Sequence, residues 1–111
     1  IQRYIAEMSV ALEAARLMSA RAALTSRPCD SDRIFAISQA KYLSAETAIK
    51  VTDLALRVCG GRGLLKDYPL ERYYRDVRAG LVMGPSTDFL LLNIGRAELG
   101  MNMPLRAQGG A

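Results

Sequence analysis

The first quarter of the chain carries apolar residues at helical spacing, with no glycine or proline from Ile1 to about Ser26. Because alanine is frequent there, the pattern predicts one long helix. Its apolar side chains form two stripes: Ile1, Ile5, Met8, Leu12, Ala15 and Ala22 along one side, and Val10, Leu17 and Leu24 along another. A helix that is apolar on two sides must be covered on two sides. Arg27-Pro28-Cys29 then ends it, since proline interrupts helical hydrogen bonding.

A second helix is predicted from the N-cap candidates Asp30 and Ser31 to the Gly60-Gly61 pair. Small residues dominate its predicted buried side, which permits close approach of another helix. That side comprises Ile34, Ile37, Ala45, Ala48, Thr52, Ala55 and Leu56. Two ion pairs four residues apart are expected on the outer side: Glu46 with Lys50, and Asp53 with Arg57.

Two shorter helices are predicted after a loop from Gly60 to Tyr68. Pro69 suits the first position of the third helix, which Gly84-Pro85 ends; its expected ion pairs are Glu71 with Arg75 and Arg72 with Asp76. Ser86 suits the N-cap of the fourth helix, Thr87 to about Leu99, and the tail from Gly100 to Ala111 is expected to fray. No strand-like alternation occurs, so we predict an all-α, four-helix up-down array.

The composition excludes several kinds of chemistry. At 111 residues the chain suffices for one domain, and without histidine it cannot supply a Ser-His-Asp triad or an imidazole base. Cys29 and Cys59 form no C-x-x-C pair, so we expect two reduced, buried thiols and no metal site.

Net charge and hydropathy indicate whether the chain is expected to bind nucleic acid or a membrane. The net charge is +4, but basic clusters interleaved with aromatic residues do not occur, which argues against nucleic-acid binding. Apolar runs such as residues 89–92 are much shorter than the roughly 20 residues of a membrane span, so no membrane association is expected. Because the chain opens in helical period without an initiator methionine, we expect a piece of a longer protein.

Two features are candidates for binding or chemistry. The glycine loop at residues 60–63 suits either a helix C-cap and turn or a cradle for phosphate, with Arg57 or Arg62 adding charge. Asp88 lies in the first turn of the last predicted helix, where a carboxylate stabilises the helix N-terminus.

Residues 55–64 (ALRVCGGRGL), followed by residues 67–76 (DYPLERYYRD), resemble the C-terminal helical domain of the acyl-CoA dehydrogenase family. The shared features are a helix ending in Gly-Gly, then Tyr-Pro, Glu-Arg and Tyr-Arg-Asp, in that order. The resemblance covers nearly the whole chain, with Ala6-Glu7-Met8 in the family's second C-terminal helix. By this resemblance, we expect the first helix of that domain and the family's two other domains to lie outside these 111 residues.

The resemblance implies an enzyme that binds FAD and removes the α-proton of an acyl-CoA thioester with a carboxylate while the β-hydride passes to the flavin. An electron-transfer flavoprotein would reoxidise the flavin. Such proteins assemble as a homodimer or homotetramer, in which the Gly-Gly loop reaches the adenosine diphosphate half of a neighbouring subunit's FAD. The implied location is the bacterial cytoplasm, or the mitochondrial matrix in a eukaryote.

The same resemblance assigns individual residues. Gly60 and Gly61 match the family's loop glycines, and Arg57 stands where a glutamine commonly touches the cofactor. Ser86, Thr87 and Asp88 are implied flavin contacts, and Arg96 is implied to contact the CoA side. The family's catalytic glutamate is replaced by Gly84, so no catalytic residue is assigned; Asp88, one turn away, is the only local substitute.

Several hypotheses follow from this replacement. In the first, the chain is part of an acyl-CoA dehydrogenase whose base lies on the missing first helix, and the chain alone is inactive. In the second, it belongs to a non-catalytic oligomerisation subunit, or to a relative that performs monooxygenase-type flavin chemistry. A free-standing helical binding protein is the third.

Overall fold

The computed structural model of the chain describes residues 1–25 and 31–101. Within them the elements are α1 (Gln2–Leu24), α2 (Ser31–Cys59), a 3-10 helix (Gly60–Leu64), α3 (Leu70–Asp76), α4 (Ala79–Val82) and α5 (Thr87–Glu98). The all-α prediction is confirmed, with α3 and α4 together forming the third predicted segment. The predicted cap at Asp30, and the predicted frayed tail beyond Met101, lie outside the described residues.

The two long helices pack side by side in opposite directions. Arg21 near the end of α1 donates a hydrogen bond to Gln39 near the start of α2. At the other end, Glu7 lies 4.0 Å from Lys50. A hydrogen bond from Arg3, at 2.9 Å, lowers the pKa of the Glu7 carboxyl, and the Lys50 charge lowers it further. Residues with higher numbers on α1 therefore contact residues with lower numbers on α2, as expected for antiparallel helices.

Small side chains dominate the buried positions of α2, as the sequence predicts, but the predicted positions are mostly wrong: of the seven, only Ala45 and Thr52 are buried, and Ile37 is exposed. Ala22, Ala36 and Ala40 make one buried cluster, with Met18 packed against it. The buried positions of α2 are Ala36, Ser38, Ala40, Ala45, Thr47, Thr52 and Leu54. Helices whose contact faces carry alanine, serine and threonine can approach closely, because no large side chain separates their backbones.

The remaining helices pack on α2, so that α2 is the common support of the fold. Leu54 of α2 and Leu90 of α5 are the only leucines buried among the described residues. The molecule is elongated, with extents of 54 × 23 × 23 Å and a radius of gyration of 16.7 Å. A compact domain of about 100 residues has a radius of gyration of about 13 Å. Much of the apolar surface consequently remains outside the core.

The second apolar stripe of α1 is uncovered in the isolated chain. Val10, Leu17 and Leu24 are exposed, Leu24 by 82%. Ile1, Ile5 and Leu12 of the first stripe are exposed as well, whereas Ala15 and Ala22 are buried against α2. Only one side of α1 is thus covered by this chain. No helix in residues 1–25 and 31–101 combines the length and apolar character needed to cross a membrane.

The third predicted helix is divided where the chain passes from α3 to α4. The guanidinium of Arg78 donates to the carbonyl oxygen of Tyr74, the group that the Arg78 amide would reach in a continuous α-helix. It also lies 3.7 Å from the centre of the Tyr74 ring. The Arg78 amide donates instead to the carbonyl of Arg75, three residues back. Regular α-helical hydrogen bonding is therefore interrupted at Arg78, where the side chain, and not the amide, donates to the Tyr74 carbonyl.

Two of the four predicted ion pairs form and two are replaced. Arg57 pairs with Asp53 at 2.9 Å, and Arg75 pairs with Glu71 at 3.1 Å. The predictions for Lys50 and Arg72 are wrong: Lys50 contacts Glu7 of the adjacent helix, and the guanidinium of Arg72 lies 5.5 Å from the centre of the Tyr73 ring. The replacement partner of Lys50 comes from a different helix, whereas that of Arg72 is the adjacent residue in the sequence.

Asn93 is the most deeply buried polar residue of the described chain. Its exposure is 0%, and both its amide nitrogen and its amide oxygen lack a hydrogen-bond partner among the described residues. A buried amide without partners costs about 1–3 kcal/mol in proteins. Asn93 therefore weakens the contact of α5 with its neighbours.

We expect Asn93→Leu to raise the free energy of unfolding by about 1–2 kcal/mol, because leucine has the same branched shape and no polar group to desolvate. Urea denaturation of the original protein and of the Asn93→Leu variant measures the difference in the free energy of unfolding. A loss of stability would contradict this account and indicate that the amide is paired in the assembled protein.

Candidate functional site

The C-terminal end of α2 turns through a pair of open glycines. Gly60 has φ +63°, the left-handed conformation that ends many helices and that glycine adopts at least cost. A Cβ atom added at Gly60 or at Gly61 would meet no other atom within 4 Å. The turn is therefore both a helix C-cap and an exposed stretch of backbone that a ligand can approach closely. Both alternatives drawn from the sequence are compatible with this geometry.

The third glycine of this segment has a packing role that the sequence does not indicate. Gly63 is buried, and a Cβ atom there would lie 2.9 Å from Cδ2 of Leu56 and 3.2 Å from both Cβ of Cys59 and Cδ2 of Leu70. The 3-10 helix thus lies tightly between the end of α2 and the start of α3. A glycine close to a motif can serve packing as readily as binding, and only the surroundings distinguish the two.

Arg57 lies one turn before the glycine pair and is held by its own helix. Its Nε donates to the Asp53 carboxylate at 2.9 Å, and the side chain remains 60% exposed. The hydrogen bond and charge of Asp53, together with a hydrogen bond to Tyr4 of α1, raise the pKa of the guanidinium. Arg57 is therefore a fixed positive charge beside the turn.

Cys59 lies at the mouth of a shallow pocket beside the same turn. The pocket has a volume of about 310 Å³ and is lined by Cys59, Arg62, Gly63, Tyr68, Pro69 and Leu70. Cys59 is a free thiol and is exposed, so the prediction of a buried thiol is wrong at this position. It is the last residue of α2, and the glycine turn follows it directly. Cys29 lies outside the described residues.

A second glycine turn precedes α5. Gly84 has φ +70° and, with Pro85, ends α4 as predicted. The Oγ of Ser86 accepts a hydrogen bond from the amide of Phe89 at 3.3 Å, which confirms Ser86 as the N-cap of α5. Thr87 is buried, with 7% exposure, whereas Asp88 is exposed in the first helical turn. Of these three implied flavin contacts, Asp88 has the most accessible side chain.

Lys41 of α2 contacts this turn directly. Its ammonium group donates to the carbonyl oxygen of Met83 at 2.8 Å and to that of Pro85 at 3.0 Å. Lys41 is not among the residues that the sequence predicts for a site. One signal was available: Lys41 lies four residues from both Ile37 and Ala45 on the predicted buried side of α2, and a lysine there requires a polar partner.

The structure places the implied cofactor residues in two groups rather than one. Arg57, Gly60 and Gly61 lie at the C-terminal end of α2, whereas Ser86–Asp88 follow the turn attached to Lys41. Lys41 and Cys59 belong to the same helix, and a rise of about 1.5 Å for each residue from position 41 to position 59 places them about 27 Å apart. Arg96 lies in the last turn of α5, away from its N-terminal turn.

Comparison with known proteins identifies the family. The profile described as "Acyl-CoA dehydrogenase, C-terminal domain" matches residues 1–99. The chain therefore belongs to the acyl-CoA dehydrogenase family, which confirms the resemblance. No solved structure matches it with comparable significance.

Three curated relatives illustrate the range of activities in this family. A 3-sulfinopropanoyl-CoA desulfinase of Paraburkholderia xenovorans is 40% identical over 106 residues, which is 96% of this chain and 27% of the relative. The mitochondrial isobutyryl-CoA dehydrogenase of Dictyostelium discoideum is 38% identical over 86% of this chain and 23% of the relative. The mitochondrial short-chain specific acyl-CoA dehydrogenase of Bos taurus is 40% identical over 70% of this chain and 19% of the relative. The chain spans about a quarter or less of their length.

The two glycines beside the pocket give a matched pair of substitutions. We expect Gly63→Ala to lower the free energy of unfolding by about 1–3 kcal/mol, because its methyl group would overlap Leu56 and crowd Cys59. Gly61→Ala, whose methyl group would enter open space, is expected to change it by less than about 0.5 kcal/mol. Chemical denaturation measures both; equal losses would contradict the packing role of Gly63.

Proposed function

We propose that this chain is the C-terminal helical part of an FAD-dependent enzyme that acts on an acyl-CoA thioester, and that its own contributions are cofactor binding and subunit assembly. The observation that carries the proposal is the open Gly60–Gly61 turn beside Arg57, within a chain that belongs to the acyl-CoA dehydrogenase family. When bound, FAD supplies the two-electron acceptor for dehydrogenation between the α and β carbons of the acyl group.

The residues present fit a dinucleotide at the end of α2. Exposed backbone at two glycines lets a phosphate or ribose approach closely, and the fixed guanidinium of Arg57 supplies an opposite charge for a phosphate. The second group, Ser86–Asp88, is about 27 Å away along α2, and we assign it to the flavin end of a different FAD molecule. Each chain would then contribute to two cofactors.

This division requires a homodimer or homotetramer. The exposed apolar residues of α1 support such an assembly, since monomeric proteins rarely leave a large continuous apolar surface in water. We assign the acyl-CoA thioester as substrate, with Arg96 on its CoA side, and an electron-transfer flavoprotein as the oxidant of the reduced flavin. The bacterial cytoplasm or the mitochondrial matrix is the corresponding compartment.

Dehydrogenation requires a base that position 84 does not offer. A positioned general base contributes about 10² to 10⁴-fold to proton abstraction, and glycine at 84 has no side chain. Asp88 is a carboxylate nearby, but it lies four residues beyond position 84, in the first turn of α5, and its side chain is exposed. We therefore place the base in a part of the protein outside this chain.

A second candidate function is removal of a sulfino group from an acyl-CoA. The desulfinase relative aligns with 96% of this chain, more than either of the two dehydrogenases described above. Cleavage of a C–S bond need not begin with removal of an α-proton. This function is therefore compatible with glycine at position 84, which supplies no base. Both candidates share the flavin and the CoA thioester and differ in the bond that is broken.

The complete protein separates these candidates. We expect it to purify with bound FAD, and a dehydrogenase will reduce an artificial electron acceptor when given a short-chain acyl-CoA. Release of sulfite from 3-sulfinopropanoyl-CoA without acceptor reduction would favour the desulfinase. The isolated chain is expected to bind FAD weakly, because half of each site belongs to another subunit.

A complete protein that is colourless and does not quench the fluorescence of added FAD would contradict both candidates. A stable monomer at micromolar concentration would contradict the shared-cofactor arrangement. Sedimentation of the complete protein, run beside the flavin measurement, keeps these two outcomes separate.

A further inference from the structure

Lys41 joins the middle of α2 to a turn that lies more than forty residues further along the chain. Its ammonium group donates to the carbonyl oxygens on either side of Gly84, those of Met83 at 2.8 Å and Pro85 at 3.0 Å. Hydrogen bonds from a charged donor are about twice as strong as those between neutral groups. The turn before α5 is consequently tied to α2 by a side chain and not only by apolar packing.

The same ammonium group fills the space that a side chain at position 84 would need. A Cβ atom built on Gly84 would lie 2.6 Å from Nζ of Lys41. Nζ is the end of a flexible side chain and can move aside, and we expect that movement to weaken its hydrogen bonds to both carbonyl oxygens. A side chain at 84 therefore has two separate costs: the left-handed backbone, at φ +70°, and the loss of the Lys41 hydrogen bonds.

We propose that Lys41 is a positioning residue: it occupies the side-chain space of position 84 and holds the turn that begins α5. Ser86, the N-cap of α5, follows Pro85 directly, so the orientation of Ser86 and Asp88 depends on the carbonyl groups that Lys41 binds. The link between Lys41 and position 84 stands on geometry alone. Its consequence for the cofactor rests on the proposed function.

A double-mutant cycle on the complete protein tests the link between the two positions. Gly84→Ala, Lys41→Ala and the double variant are compared by thermal unfolding. We expect Gly84→Ala to lower the midpoint by several degrees more in the presence of Lys41 than in its absence, since the Lys41 hydrogen bonds can be lost only once.

Lys50→Ala provides the control, because Lys50 lies on the same helix and contacts Glu7 of α1 instead. Its effect should add to that of Gly84→Ala without any coupling. Additive effects of Lys41→Ala and Gly84→Ala would overturn the proposal, whether or not the protein binds FAD. The test of this link is thus separate from the test of the proposed function.

The effect on the cofactor is measured as FAD affinity of the complete protein. We expect Lys41→Ala to weaken binding about ten-fold, and Lys41→Arg, which can still donate to both carbonyls, to stay within about three-fold of the original. Ala22→Gly is the matched control, since it loosens the core between α1 and α2 far from the turn. It should lose a comparable amount of thermal stability and keep its FAD affinity.

An equal loss of FAD affinity in Ala22→Gly and Lys41→Ala would overturn the positioning role, because both changes would then act through stability alone. Failure of the original protein to bind FAD would refute the proposed function, and the thermal cycle would still decide whether Lys41 and position 84 are coupled.

Discussion

The close pairing of α1 and α2 is the interaction on which the rest of the structure depends. Alanine, serine and threonine line their common face, so the helix backbones approach closely and large apolar side chains are left for other surfaces. One consequence is that α2 is supported along its whole length and can carry α3, α5 and the 3-10 helix. Another is that much of α1 remains apolar and uncovered, which suits a chain that is completed by further polypeptide.

The long α2 helix also separates the candidate binding groups. Because Lys41 and Cys59 belong to one continuous helix, they are held about 27 Å apart and cannot both contact one small ligand. Each end of this span presents a left-handed glycine with different surroundings: Gly60 opens to solvent, whereas Gly84 lies against an ammonium group. The same local conformation therefore offers exposed backbone at one turn and closely filled space at the other.

The predictions that succeeded depend on interactions within a few residues. Ser86 caps α5 because a serine hydroxyl reaches an amide three residues away, and Gly84-Pro85 ends α4 because proline lacks the amide that would extend it. The family motif is likewise local, from the end of α2 into α3. The failures involve contacts that spacing along the chain does not show: Lys50 contacts Glu7 of α1, and the third segment is divided near Arg78, whose side chain donates to the carbonyl of Tyr74.

The sequence by itself determined the all-α class, the end of α2, the start of α5, the two glycine turns and the family, since each of these depends on backbone propensity or on a contiguous motif. Only the tertiary structure decided that Cys59 is exposed, that Gly63 is required by packing, that Asn93 is buried without a partner and that Lys41 fills the space beside Gly84. These four properties depend on which side chains from distant parts of the chain meet in space. Spacing along one helix does not contain that information.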